Sequence, residues 1–129
     1  MMRGLPSTSL PRRYVSKPDQ AHEMIRAARA LSVQALAIQA DNADAEVVAA
    51  AVERTVEELG GIDILVNNVG IAVMATIEDY RLEEFDRMVV VNLCAVFVAT
   101  QAAVKHMKTG GRIITTGSCN AERMPFGGG

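Results

Sequence analysis

The chain has 129 residues, room for one domain, and 50% of them are apolar, enough to build a core. A net charge of -2 and an aromatic content of 4% argue against a nucleic-acid binder, which needs a basic excess and stacking rings. Cys94 and Cys119 are too few for a disulfide framework and lack metal-ligand spacing, so a reducing, cytoplasmic setting is expected.

Residues 1–13 carry Arg3, Arg12, Arg13, Pro6 and Pro11 and no acid. They read as an irregular leader, because the prolines spoil an amphipathic targeting helix and there is no apolar stretch for secretion. From Tyr14 onward, residues 14–129 alternate in hydrophobic period. Pro18 suits a first helical turn, and Ala21, Met24, Ile25, Ala28 and Leu31 follow at helical spacing. Val33 to Ala40 is short, apolar and branched, hence a buried strand. Asn42 reads as the cap of a second helix, with Asp44 and Glu46 in its positive first turn. Ala45, Val48, Val52, Val56 and Leu59 form the inward stripe of that helix, and Gly60-Gly61 stops it. Ile62 to Val66 is a second strand. Leu82 to Met107 is a long helix, with Leu82, Phe85, Val89, Leu93, Val96, Thr100 and Val104 along one face. No run is expected to cross a membrane, since the longest, 88–104, is broken by Asn92, Thr100 and Gln101. Gly110-Gly111 ends the helix, and Arg112 to Thr116 is a third strand.

Alternating helices and strands specify an α/β, doubly wound parallel sheet with both faces covered. Such folds bind ligands beyond the carboxyl ends of their strands. The candidate clusters are therefore Asp41 and Asn42, then Asn67-Asn68-Val69-Gly70, then Gly117 and Ser118. The second cluster is the most telling, because a buried strand that runs into paired amides and a glycine brings backbone and small polar groups up to a ligand. Asn92 stands in the middle of an apolar helix, where an unpaired amide would cost roughly 1 to 3 kcal/mol. It must have a partner. His22 and His106 have no partners at site spacing, and His106 reads as a surface residue favoured by the helix dipole.

The segments Gln39-Ala40-Asp41, Gly61-Ile62-Asp63-Ile64-Leu65-Val66-Asn67-Asn68-Val69-Gly70, Val91-Asn92-Leu93 and Gly111-Arg112-Ile113-Ile114-Thr115-Thr116-Gly117-Ser118 resemble, in order and spacing, successive motifs of the short-chain dehydrogenase/reductase family. The likeness covers residues 14–129 and is closest to bacterial members of the 3-oxoacyl carrier-protein reductase type. It implies a Rossmann-like fold and hydride transfer between a nicotinamide and a small carbonyl or alcohol substrate. By the same likeness, Asp41 contacts the adenine and Asn42 offers backbone contact, although Asn42 is equally well explained as a helix cap. Asn67 and Gly70 line the cofactor pocket, Val69 replacing the usual alanine. Asn92 supports a proton relay through a water at a helix distortion, and Ser118 is the catalytic serine that binds the substrate oxygen. Ser16 and Lys17, with no acid before Asp19, favour NADP over NAD, because they can accommodate a 2'-phosphate.

Two family motifs are not present in these 129 residues. The glycines have no Gly-x-x-x-Gly-x-Gly spacing, and neither Tyr14 nor Tyr80 has a lysine four positions on. The finish at Gly129, ahead of the expected tyrosine, is read as an interrupted gene end, and the chain alone is expected to be inactive. In the strand order 3-2-1-4-5-6, Val33 to Ala40 would be strand three and Ile62 to Val66 strand four. The sheet is then incomplete, with an empty centre. Either it closes with non-native pairing, or it leaves edges that invite association. The alternative to an enzyme is a non-catalytic remnant that pairs with a relative through the helix 82–107, a surface that many members of the family use to form oligomers.

Overall fold

The computed structural model describes residues 9–14 and 18–118. Strand formation begins inside the expected leader: β1 (Ser9–Tyr14) runs parallel to β2 (Gln34–Gln39), in register from Ser9 opposite Gln34 to Tyr14 opposite Gln39. The irregular reading is thus corrected for residues 9–13. Pro11 did not prevent it, because proline is tolerated at a sheet edge, and β1 is the edge of a two-stranded sheet.

Between these strands, α1 (Pro18–Ala30) buries its small residues, Ala21 and Ala28, while Met24 and Leu31 are exposed. It ends where Val33 N–H donates to the Ala28 carbonyl at 3.2 Å and Ser32 takes a φ of 58°. The next helix, α2 (Ala45–Leu59), is capped by Asp44, whose Oδ1 accepts from the N–H of Glu46 at 2.9 Å and of Val47 at 3.1 Å. Asn42 is therefore not the cap. Its side chain is turned inward, at 5% exposure, and the charged carboxylate of Asp44 takes the more favourable place at the positive helix end. Asp44→Ala should cost about 1 kcal/mol of stability; a urea midpoint unchanged from the parent chain would show that the cap contributes nothing. Gly60 closes the helix in the left-handed region, φ 78°, its N–H on the Val56 carbonyl at 2.7 Å.

β3 (Ile64–Asn67) pairs in parallel with β4 (Arg112–Thr115), from Ile64 opposite Arg112 to Asn67 opposite Thr115. Among the described residues no strand joins β1 and β2 to β3 and β4. The sheet has not closed by non-native pairing. Its two halves match the 3-2 and 4-5 neighbours of the doubly wound order, and the helix α2 lies against both. Its Ala51 packs with Ile38 and Ala40 at β2, and its Val48 and Val52 pack with Ile62 and Leu65 at β3. Leu65 is 1% exposed, a burial that contributes about 1.5 to 3 kcal/mol.

The long helix is continuous in path but not in type: α3 (Leu82–Val89), a π-helical turn (Val90–Cys94) and α4 (Ala95–Val104). The row of large residues along one face is only partly covered, with Val89, Val96 and Thr100 half-buried. Leu82, Phe85, Leu93 and Val104 are exposed, as is Phe97, whereas the buried face is Val91, Ala95, Ala99, Ala102 and Ala103. Alanines have no bulk to hold helices apart, so α4 approaches α2 closely, and the large residues are left on the other side. The combined helix, 82–104, spans 23 residues and is long and apolar enough to cross a membrane by length and composition, contrary to expectation. Asn92, Thr100 and Gln101 are uncharged and too few to lower its mean hydropathy of 1.7 below that of a membrane-spanning stretch. His106 is also corrected. It sits beyond α4 with Nε2 2.8 Å from Oε2 of Glu53 on α2, a short contact not aligned as a hydrogen bond, and so belongs to the α2–α4 seam.

Candidate functional site

The site is built where strands end. After β2 the chain turns at Asp41, whose Oδ1 accepts from the Ala43 N–H at 2.9 Å and whose carbonyl accepts from the Asp44 N–H at 3.2 Å. This turn holds an exposed carboxylate at the mouth while driving Asn42 inward. At the end of β3, Asn67 is 4% exposed. Its Nδ2 lies 3.5 Å from Oγ1 of Thr115, at the long limit of a hydrogen bond, and its carbonyl accepts from the Thr116 N–H at 2.9 Å. Asn42 and Asn67 line one small cavity with Val69, Val91, Ala95 and Val96, so the loop after β2 reaches the carboxyl end of β3. Thr115 brings in the end of β4, and Thr116, Gly117 and Ser118 follow it, exposed.

Asn92 faces the same corner from the π-helical turn. Its Oδ1 accepts from the Ile71 N–H and its Nδ2 donates to the Ile71 carbonyl, both at 2.9 Å. The partner that burial demanded is thus the backbone of the loop after Gly70. Such a two-point amide clamp fixes the path of residues 70–71 as a strand neighbour would. Gly70 sits beneath it: a Cβ there would meet Asn92 Oδ1 at 3.5 Å, an ordinary contact. Tyr80 is engaged elsewhere, its hydroxyl 3.4 Å from the Val73 carbonyl and 3.2 Å from the sulfur of Met88.

The described part of the structure therefore gathers Asp41, Asn42, Asn67, Gly70, Asn92 and Ser118 at one end of the sheet. Ser16, Lys17 and Cys119 lie outside the described residues. Sequence reading missed Thr115 as the neighbour of Asn67; the signal was its place directly opposite Asn67 once the two strands are aligned in parallel. It also missed the burial of Asn42, which nothing in a loop sequence of Asp-Asn-Ala-Asp distinguishes from capping. No group of three or more His, Cys, Asp or Glu residues suited to a metal occurs among the described residues.

The short-chain dehydrogenase family model matches residues 13–129. The chain belongs to the short-chain dehydrogenase family. It is 44% identical to a short-chain dehydrogenase/reductase from Serratia marcescens, with a TM-score of 0.90 over 93% of this chain and 49% of that one. A short-chain dehydrogenase from Burkholderia cenocepacia, solved in complex with NADP, is 43% identical with the same TM-score and the same coverage of both chains. Among curated relatives, versicolorin reductase 1 of Aspergillus parasiticus is 37% identical over 108 residues, 84% of this chain and 41% of its own length. The chain thus spans about half the length of the relatives it matches, and its fold is the α/β, Rossmann-like one that the alternating pattern implied, with the sheet incomplete.

Proposed function

We propose that this chain forms the cofactor-facing half of an NAD(P)-dependent oxidoreductase that exchanges hydride between a nicotinamide and a small carbonyl or alcohol substrate. The observation that carries the reading is the convergence of three strand ends on one crevice, with the amides of Asn42 and Asn67 in its floor and the carboxylate of Asp41 at its mouth. The exposed carboxylate of Asp41 and the lack of a side chain at Gly70, beside Asn92 Oδ1, fit a crevice built for close approach of a polar ligand. When bound, the cofactor supplies the hydride. Asp41 would accept from the adenine amino group, Asn67 and Gly70 would line the nicotinamide side, and Ser16 with Lys17 would favour the 2'-phosphate of NADP. Ser118 would donate to the substrate oxygen as negative charge develops there. Both polar atoms of the Asn92 side chain are held on Ile71, so its part in a proton relay would pass through the π-helical turn, where one inserted residue alters the pairing of the backbone carbonyls.

The proton itself needs a donor that the described residues do not provide, since Tyr80 is held by Val73 and Met88. Fluorescence titration of the purified chain tests the reading: NADPH should bind at micromolar concentration, more tightly than NADH, without turnover of a carbonyl substrate, and Asp41→Ala should weaken binding about tenfold. Absence of binding by either nucleotide would overturn it. We further assign the exposed stripe Leu82, Phe85, Leu93, Phe97 and Val104 to contact with a second copy of the chain, an apolar row that suits a partner helix better than water. A cytoplasmic location is consistent with this soluble use of the helix.

A further inference from the structure

Two buried oxygens at the crevice floor have no partner. Asn42 is 5% exposed and Asn67 4%, and the Oδ1 of each accepts no hydrogen bond. Both side chains line the same cavity, whose other walls are Val69, Val91, Ala95 and Val96. A buried carbonyl oxygen left unsatisfied costs roughly 1 to 3 kcal/mol. Two such acceptors on residues that line one cavity suit a single donor with two hydrogens.

We propose that Asn42 and Asn67 together bind one water molecule, which donates a hydrogen to each Oδ1. The cavity has room for the centre of a water-sized sphere over about 10 Å³, enough for one water and too little for a larger donor. No ionisable side chain lines it, so an ammonium or metal ion would surrender its hydration to two neutral amides among apolar walls, which is far more costly than placing a neutral water there. The bound water extends a polar line from Asn42 through Asn67 to Thr115, whose Oγ1 is 3.5 Å from Asn67 Nδ2. That line crosses from the end of β2 to the ends of β3 and β4, two sheet halves that share no strand pairing among the described residues. With Oδ1 held by the water, the amide of Asn67 is fixed with its Nδ2 toward Thr115. Asn42 is thereby a positioning residue that acts on Asn67 through the water.

Oxygen-17 magnetic relaxation dispersion on the unmodified chain should detect a long-lived internal water, and Asn42→Val should remove the contribution of one. A high-resolution crystal structure of the unmodified chain should place that water within hydrogen-bond distance of both Oδ1 atoms. In a double-mutant cycle of Asn42→Val and Asn67→Val, the unfolding constant of the double variant should differ about tenfold from the product of the single effects. A cavity empty in the crystal, the two amides bonded directly to each other, or independent effects in the cycle would each overturn the proposal. The relaxation and crystallographic measurements on the unmodified chain decide it even where a variant does not fold.

Discussion

Asn92→Ala is expected to destabilise the protein by about 3 kcal/mol, because it removes two hydrogen bonds and strands both polar groups of Ile71. Both bonds are 2.9 Å long and partly buried. Nothing else in that clamp can replace them, since alanine offers neither donor nor acceptor. Asn92→Asp keeps the acceptor for the Ile71 N–H but sets a carboxylate against the Ile71 carbonyl, so it should be destabilising as well, with the Ile71 amide still protected. Urea denaturation measures the first effect, and hydrogen exchange at the Ile71 amide localises it. A loss under about 0.5 kcal/mol for Asn92→Ala, the level of an ordinary surface change, would mean that residues 70–71 are held by something other than this amide.

The second large effect concerns association. If the exposed apolar row is a contact between copies, Leu93→Asp combined with Phe97→Asp should weaken self-association about a thousandfold, since two central apolar anchors at about 2 kcal/mol each amount to roughly 4 kcal/mol. Leu93 is 64% and Phe97 65% exposed, so the folded monomer should lose little stability from the same changes. Sedimentation equilibrium across a concentration series reads the result. An unmodified chain that stays monomeric throughout, or a double variant that associates as before, would remove this face from consideration.

The order of helices and strands, the parallel sheet and the strand-end location of the site were legible because period and punctuation are local properties. Gly60 stopped α2 as its position implied. Which side of the long helix is buried was not legible from its period. In the π-helical turn and α4 the bulky Leu93, Phe97 and Val104 mark the outside and the alanines mark the core, because the depth of a helix is set by what it packs against and not by its own sequence. The same limit applied to Asn42. Whether a polar residue after a strand caps a helix or turns into the core depends on a neighbour, here Asp44, that outcompetes it for the helix end. Asn92 was easier, for an amide inside an apolar helix announces that a partner exists, although only the fold could name Ile71.

One consequence follows from α2 lying against both sheet halves. Val48 and Val52 belong to one core and Ala51 to the other, three residues on adjoining faces of a single turn and a half of helix. Neither half of the sheet can melt while that helix remains packed on the other without exposing one side of it to water. The two halves, unconnected by any strand among the described residues, are therefore joined into one cooperative unit by a helix. The backbone amides near Val52 should be among the slowest in the chain to exchange with solvent, opening only when the whole domain does.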